Sequence, residues 1–154
     1  MEHLTDPRQQ VMIAATLLAR AYRQQADLEL EGCGLSEVMA WPVLVVGRRE
    51  GLRQIDLADL LGVEGASMVR TLDRVEAAGL IERREDPRDR RAKTLYLTPA
   101  GRKLRARIEN VLSQLAERTF QGVSQADMDA CLRVFGQVEG ALAQASQLPG
   151  AGTK

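Results

Sequence analysis

The chain has 154 residues, the length of one ordinary domain, and its 45% hydrophobic content is enough for a core. Lysine plus arginine and aspartate plus glutamate number 21 each, so the net charge of zero argues at first against a polyanionic partner. One histidine, His3, and two widely separated cysteines, Cys33 and Cys131, exclude a histidine-based catalytic arrangement, a zinc site and a disulfide scaffold.

The distribution of charge reverses the first impression. Residues 1–62 sum to −3, residues 63–107 to +5 and residues 108–154 to −2, which concentrates positive charge in the middle of the chain. No apolar run reaches the roughly 18 residues needed to span a bilayer, and no charged segment precedes a short apolar stretch at the start. The expected location is cytoplasmic, with no membrane partner.

The first helix is expected from Pro7 to about Glu31, with Asp6 as acceptor for the free amides of its first turn. Val11, Ala14, Ala15, Leu18 and Tyr22 form one stripe, and Met12, Ile13 and Leu17 widen it, so this helix needs more than one partner. A second helix runs from the cap Ser36 to about Arg49. Pro42 lies inside it, where a missing donor predicts a kink or break that frees the Val38 carbonyl, or else a bend absorbed by packing. Leu52 and Arg53 are candidates for a short strand.

Ile55, Leu57, Ala58, Leu60 and Leu61 predict a short helix stopped by Gly62. From Glu64 to Gly79, EGASMVRTLDRVEAAG, the apolar positions Met68, Val69, Leu72 and Val75 share one face, while Ser67, Arg70, Thr71 and Arg74 fall toward the other. Two helices joined by Leu61-Gly62-Val63 read as a helix-turn-helix, whose second helix enters a major groove. Next, LIERRE and AKTLYL predict two strands around a polar loop, DPRDRR. Between Arg83 and Lys93 six basic residues face three acidic ones, a net positive tip suited to a phosphate backbone or a narrow minor groove.

Thr98 then caps a helix beginning at Pro99, with Leu104, Ile108, Val111, Leu112 and Leu115 on one face. Gly122 interrupts, and Ser124 caps a last helix holding Met128, Cys131, Leu132, Phe135, Val138, Leu142 and Ala145, before a frayed tail, PGAGTK. The fold class is therefore mainly α with a small β-wing: a winged helix-turn-helix over residues 36–98, flanked by helical segments 1–35 and 99–154. Those segments carry more apolar surface than a 60-residue module covers, which predicts a homodimer with half-sites about 34–36 Å apart.

The run LADLLGVEGASMVRTLDRVEAAGLIERREDPRDRRAKTLYLTPAG resembles the core of MarR-type transcriptional regulators, and VRTLD followed by DRRAK is most similar to their SlyA-like branch. The likeness is close over residues 35–105. It implies a dimeric, ligand-responsive regulator, commonly a repressor, that binds a double-stranded, pseudo-palindromic operator and releases it to small aromatic or phenolic acids.

The candidate DNA-contacting residues are Ser67, Met68, Arg70, Thr71 and Arg74 on the second helix of the motif, and Arg88, Arg90, Arg91 and Lys93 on the hairpin. Arg70 has the strongest case, because arginine grips a guanine edge bidentately and the resemblance implies a contacting arginine at this place. The competing reading pairs it with Asp73 or Glu76, which also surround Arg74. The resemblance further implies that Asp86 or Asp89 pairs with neighbouring arginines to shape the wing, leaving Arg90 for the minor groove. An effector is expected near Trp41, beside Pro42, with Arg20 and Arg23 supplying charge in an R-x-aromatic-R pattern similar to that of the SlyA-like branch; otherwise Trp41 is core and both arginines are solvated.

Catalysis finds no support, and no cofactor is expected. GVEGAS lacks the lysine of a phosphate loop, and Asp56 with Asp59 reads as a solvated helix face. Two alternatives to a ligand-responsive regulator stay open: a winged helix used only for protein binding, and a regulator responding through cysteine oxidation.

Overall fold

A computed structural model describes residues 6–146, with the side chains of Glu37, Arg90, Arg91 and Ser146 outside the description. His3 and the tail PGAGTK lie outside the described residues. The chain divides into two compact units, one ending at Ala116 and the other beginning at Glu117.

In the first unit the order is α1 (Pro7–Gly32), α2 (Glu37–Arg48), β1 (Leu52–Arg53), α3 (Gln54–Leu61), α4 (Gly65–Ala77), β2 (Ile81–Asp86), β3 (Asp89–Leu97) and most of α5 (Pro99–Thr119). The α1 start follows the expected chemistry, with Asp6 Oδ1 accepting from the Arg8 amide at 2.9 Å and Pro7 at the first position. Helix α2 continues through Pro42 rather than breaking. The donor removed is the one that would bond the Val38 carbonyl, and Val38 is 41% exposed, so water can replace it.

The core lies where α2, α4 and the sheet meet. Val43, Val46, Leu57, Leu72, Val75 and Leu95 are fully hidden from solvent, whereas α1 buries only Ala26 and Leu30. Three antiparallel strands run in the order β1-β3-β2, with Leu52 opposite Leu95 and Ile81 opposite Leu97. The polar stretch expected to be loop is mostly strand: β3 begins at Asp89, opposite Asp86, which leaves Pro87 and Arg88 as the turn. A hairpin tip that projects from the core has water on both faces, so no apolar alternation marks its strands.

Two glycines place the functional helix. Gly62 ends α3 at φ 63°, a left-handed conformation that costs little without a Cβ, and so turns the chain into α4. Gly101, in the first turn of α5, lies so close to the α4–β2 connection that an added Cβ would stand 1.9 Å from the Leu80 carbonyl oxygen. The same junction is tied by Thr98, whose hydroxyl donates to the Gly79 carbonyl and accepts from the Gly101 amide at 3.0 Å.

The second unit holds the end of α5, a turn at Gly122 (φ 87°) and α6 (Gln125–Ser146), which Ser124 caps by accepting from the Asp127 amide. Leu132, Phe135 and Leu142 of α6 are about half exposed or more, as are Leu17, Leu18 and Leu28 of α1. Among the described residues no helix is long and apolar enough to cross a membrane, and no three or more His, Cys, Asp or Glu side chains are grouped to hold a metal.

Candidate nucleic-acid interface

Helix α4 is amphipathic at helical spacing, and that periodicity decides which of its residues face out. Met68, Leu72 and Val75 are buried, while Ala66, Val69, Arg70, Asp73 and Arg74 are exposed. Met68, expected among the DNA contacts, is only 1% exposed and belongs to the core, so it cannot reach a base edge. Ser67 and Thr71 are half-buried at the margins of the outward face.

The arginines of this face differ from the competing sequence reading. Arg70 Nη2 donates weakly to Ser67 Oγ at 3.3 Å, and among the described residues it forms no ion pair with Asp73 or Glu76. Both carboxylates are engaged instead by Arg83 of β2, whose Nη1 stands 2.7 Å from Asp73 Oδ1 and 3.3 Å from Glu76 Oε2. Arg83 also donates its backbone N–H to Glu76 Oε1 at 3.2 Å. Its Nε is buried with no hydrogen-bond partner. Arg70 and Arg74 are thus exposed, with Asp73 and Glu76 committed to Arg83.

Wing geometry depends on a carboxylate that the sequence reading paired locally. Asp86, 7% exposed, accepts from the Arg88 backbone amide at 2.8 Å and from Arg53 of β1 through Nε at 2.8 Å and Nη2 at 2.7 Å. The Arg88 amide first, and then the Arg53 guanidinium, hold the Asp86 carboxyl below the ordinary range. Among the described residues its side-chain partner is thus a residue 33 positions away. Arg53 was not among the expected site residues, although its place in a third strand was foreseen. Arg88 is exposed at the turn, and Lys93 meets Glu85 at 3.4 Å. Arg84 lies over the Tyr96 ring at 4.2 Å and pairs with Glu82. Asp89 sits opposite Asp86 at the base of the turn. The Arg90 and Arg91 side chains, including the expected minor-groove residue, lie outside the described ones.

Behind α4, a cleft of about 260 Å³ is lined by Arg23, Asp27, Val38, Trp41, Pro42, Leu61, Val63, Met68 and Thr71. Trp41 Nε1 donates to Asp27 Oδ1 at 2.7 Å, and the Arg23 guanidinium stacks 4.7 Å from the indole centroid. Two of the three expected ligand-binding residues, Arg23 and Trp41, therefore meet here. Arg20 is exposed and is not part of the lining.

Residues 37–92 match the family model described as MarR family. Among solved structures, transcriptional regulator PA3341 is 32% identical, with 87% of this chain and 97% of that one covered and a TM-score of 0.73. A MarR family regulator from Silicibacter pomeroyi is 26% identical over 90% and 92% of the two chains, with a TM-score of 0.70. The structure of MarR shares the fold at 23% identity, a TM-score of 0.72, and coverage of 96% and 99%. Family model, identity and the winged helix agree: the chain belongs to the MarR family of transcriptional regulators, which are not enzymes.

Proposed function

We propose that the chain is a cytoplasmic, homodimeric repressor of the SlyA-like branch that binds a pseudo-palindromic operator through α4 and the wing. The observation that carries this reading is the outward face of α4. Arg70 and Arg74 are exposed there, and Arg83 engages the acids that would otherwise neutralise them. Arg70, Ser67 and Thr71 then read base edges in a major groove, Arg74 meets the backbone, and Arg88, Arg90, Arg91 and Lys93 follow phosphate and minor groove. Asp86, and with it Asp89, orients the wing rather than touching DNA.

The segments 1–35 and 99–154 form the dimer, supported by the exposed Leu17 and Leu18 of α1 and Leu132 and Leu142 of α6. A small aromatic or phenolic acid binds beside Trp41, stacking on the indole with its acidic group toward Arg23. Such a ligand releases DNA only as far as it prefers a dimer with wrongly spaced recognition helices.

Selection from a pool of random duplexes tests the reading. A two-fold symmetric sequence should be enriched, with half-sites about one helical turn apart. Enrichment of no sequence would leave the winged helix as a protein-binding module.

A further inference from the structure

An acidic residue on a surface that meets phosphates is unfavourable unless it does something else, and Asp73 is 56% exposed on the outward face of α4. Its partner, Arg83, is only 19% exposed and has its charge directed at Asp73 and Glu76, with Nη2 also 3.5 Å from the Val69 carbonyl on α4. One side chain on β2 therefore grips α4 at positions 69, 73 and 76. Three residues further along, β2 reaches Asp86, which Arg53 ties to β1.

We infer that Arg83 and Asp73 form a positioning clamp that fixes the recognition helix relative to the wing, so that base contacts and wing contacts fall in register on one half-site. The clamp touches no base. It acts on operator discrimination, because sequence-specific contacts need both elements placed together, whereas binding to arbitrary DNA depends mainly on charge. This inference rests on the DNA-binding reading above.

The two possible roles of Asp73 predict opposite signs. If it is merely a surface acid, Asp73→Asn removes repulsion and tightens every duplex. As part of the clamp, its loss weakens the operator while leaving arbitrary DNA unchanged or tighter.

The experiment measures fluorescence anisotropy across a salt series for the wild-type chain, Asp73→Asn, Arg83→Met and the double variant. The probes are the duplex enriched by the wild type and a scrambled duplex of equal composition. Each single variant should lose roughly tenfold on the enriched duplex, the double variant little more, and the salt slope should not change. Equal tightening of both duplexes by Asp73→Asn, additive losses, or a salt slope reduced by about one ion per chain in Arg83→Met would overturn the clamp. If Arg83→Met does not fold by circular dichroism, the isosteric Asp73→Asn decides alone, since Arg83 keeps Glu76. A wild type that enriches no duplex overturns the DNA-binding reading and the clamp with it.

Discussion

Replacing Arg70 by alanine separates recognition from folding. Its side chain is exposed and, among the described residues, makes one hydrogen bond, to Ser67 Oγ at 3.3 Å, so stability should change by no more than about 0.5 kcal/mol. A bidentate arginine–guanine pair contributes about 1–3 kcal/mol of discrimination, or roughly 5- to 150-fold. A two-fold dimer presents the residue twice, so losses at both half-sites sum to about 2–6 kcal/mol. Two residues earlier, Met68→Ala should behave oppositely. A side chain that is 1% exposed leaves a cavity between α4 and its neighbours, at a cost of about 2–5 kcal/mol of stability. Urea denaturation and anisotropy against the enriched duplex and its single-base variants measure both quantities. The reasoning is refuted if Arg70→Ala keeps full affinity while folded, or if Met68→Ala keeps its stability but loses discrimination at one base pair.

Arg90→Ala should weaken enriched and scrambled duplexes alike and lower the salt slope by roughly one ion per chain; an unchanged slope returns the wing tip to a solvated charge run. The Asp86 carboxyl titrates lower in the fold than in the unfolded chain, so its stabilisation is fully present above the unfolded value and disappears as pH falls through the folded one. Thermal melts should accordingly show Asp86→Asn less stable than wild type at neutral pH, with the difference shrinking below about pH 4; a gap that widens in acid contradicts the sign. Gly101→Ala places a Cβ against the Leu80 carbonyl and should destabilise by about 1–3 kcal/mol, measured by denaturant midpoint. Titration with salicylate-like acids should change Trp41 fluorescence saturably below millimolar concentration, and no change across several acids would remove the effector from the Trp41 cleft.

Local chemistry was legible in the sequence wherever a residue acts on its own neighbours. Asp6 before Pro7, Thr98 before Pro99, Ser124 before α6 and Gly62 after α3 each satisfy or end a helix within four positions, and each stands where expected. The apolar period likewise located α4, and followed strictly it would have kept Met68 in the core and out of the contact set. What escaped depends on contacts between distant positions. Arg53 and Asp86 are 33 residues apart, and the Arg83 grip on Asp73 becomes visible only once β2 packs beside α4. A helix with arginines at 70 and 74 and acids at 73 and 76 offers several internal pairs, which is why pairing of Arg70 with Asp73 or Glu76 stood as the competing reading. The second wing strand was read too short, from Ala92 instead of Asp89, because a projecting hairpin carries polar residues on both faces.

Methylation protection of guanine N7 on the enriched duplex tests most directly whether α4 reads a major groove from a two-fold dimer. Protection is predicted in two successive major grooves about 34–36 Å apart, and should be lost at both in Arg70→Ala. Protection on one side only, no guanine protection, or a pattern unchanged by Arg70→Ala would contradict the account.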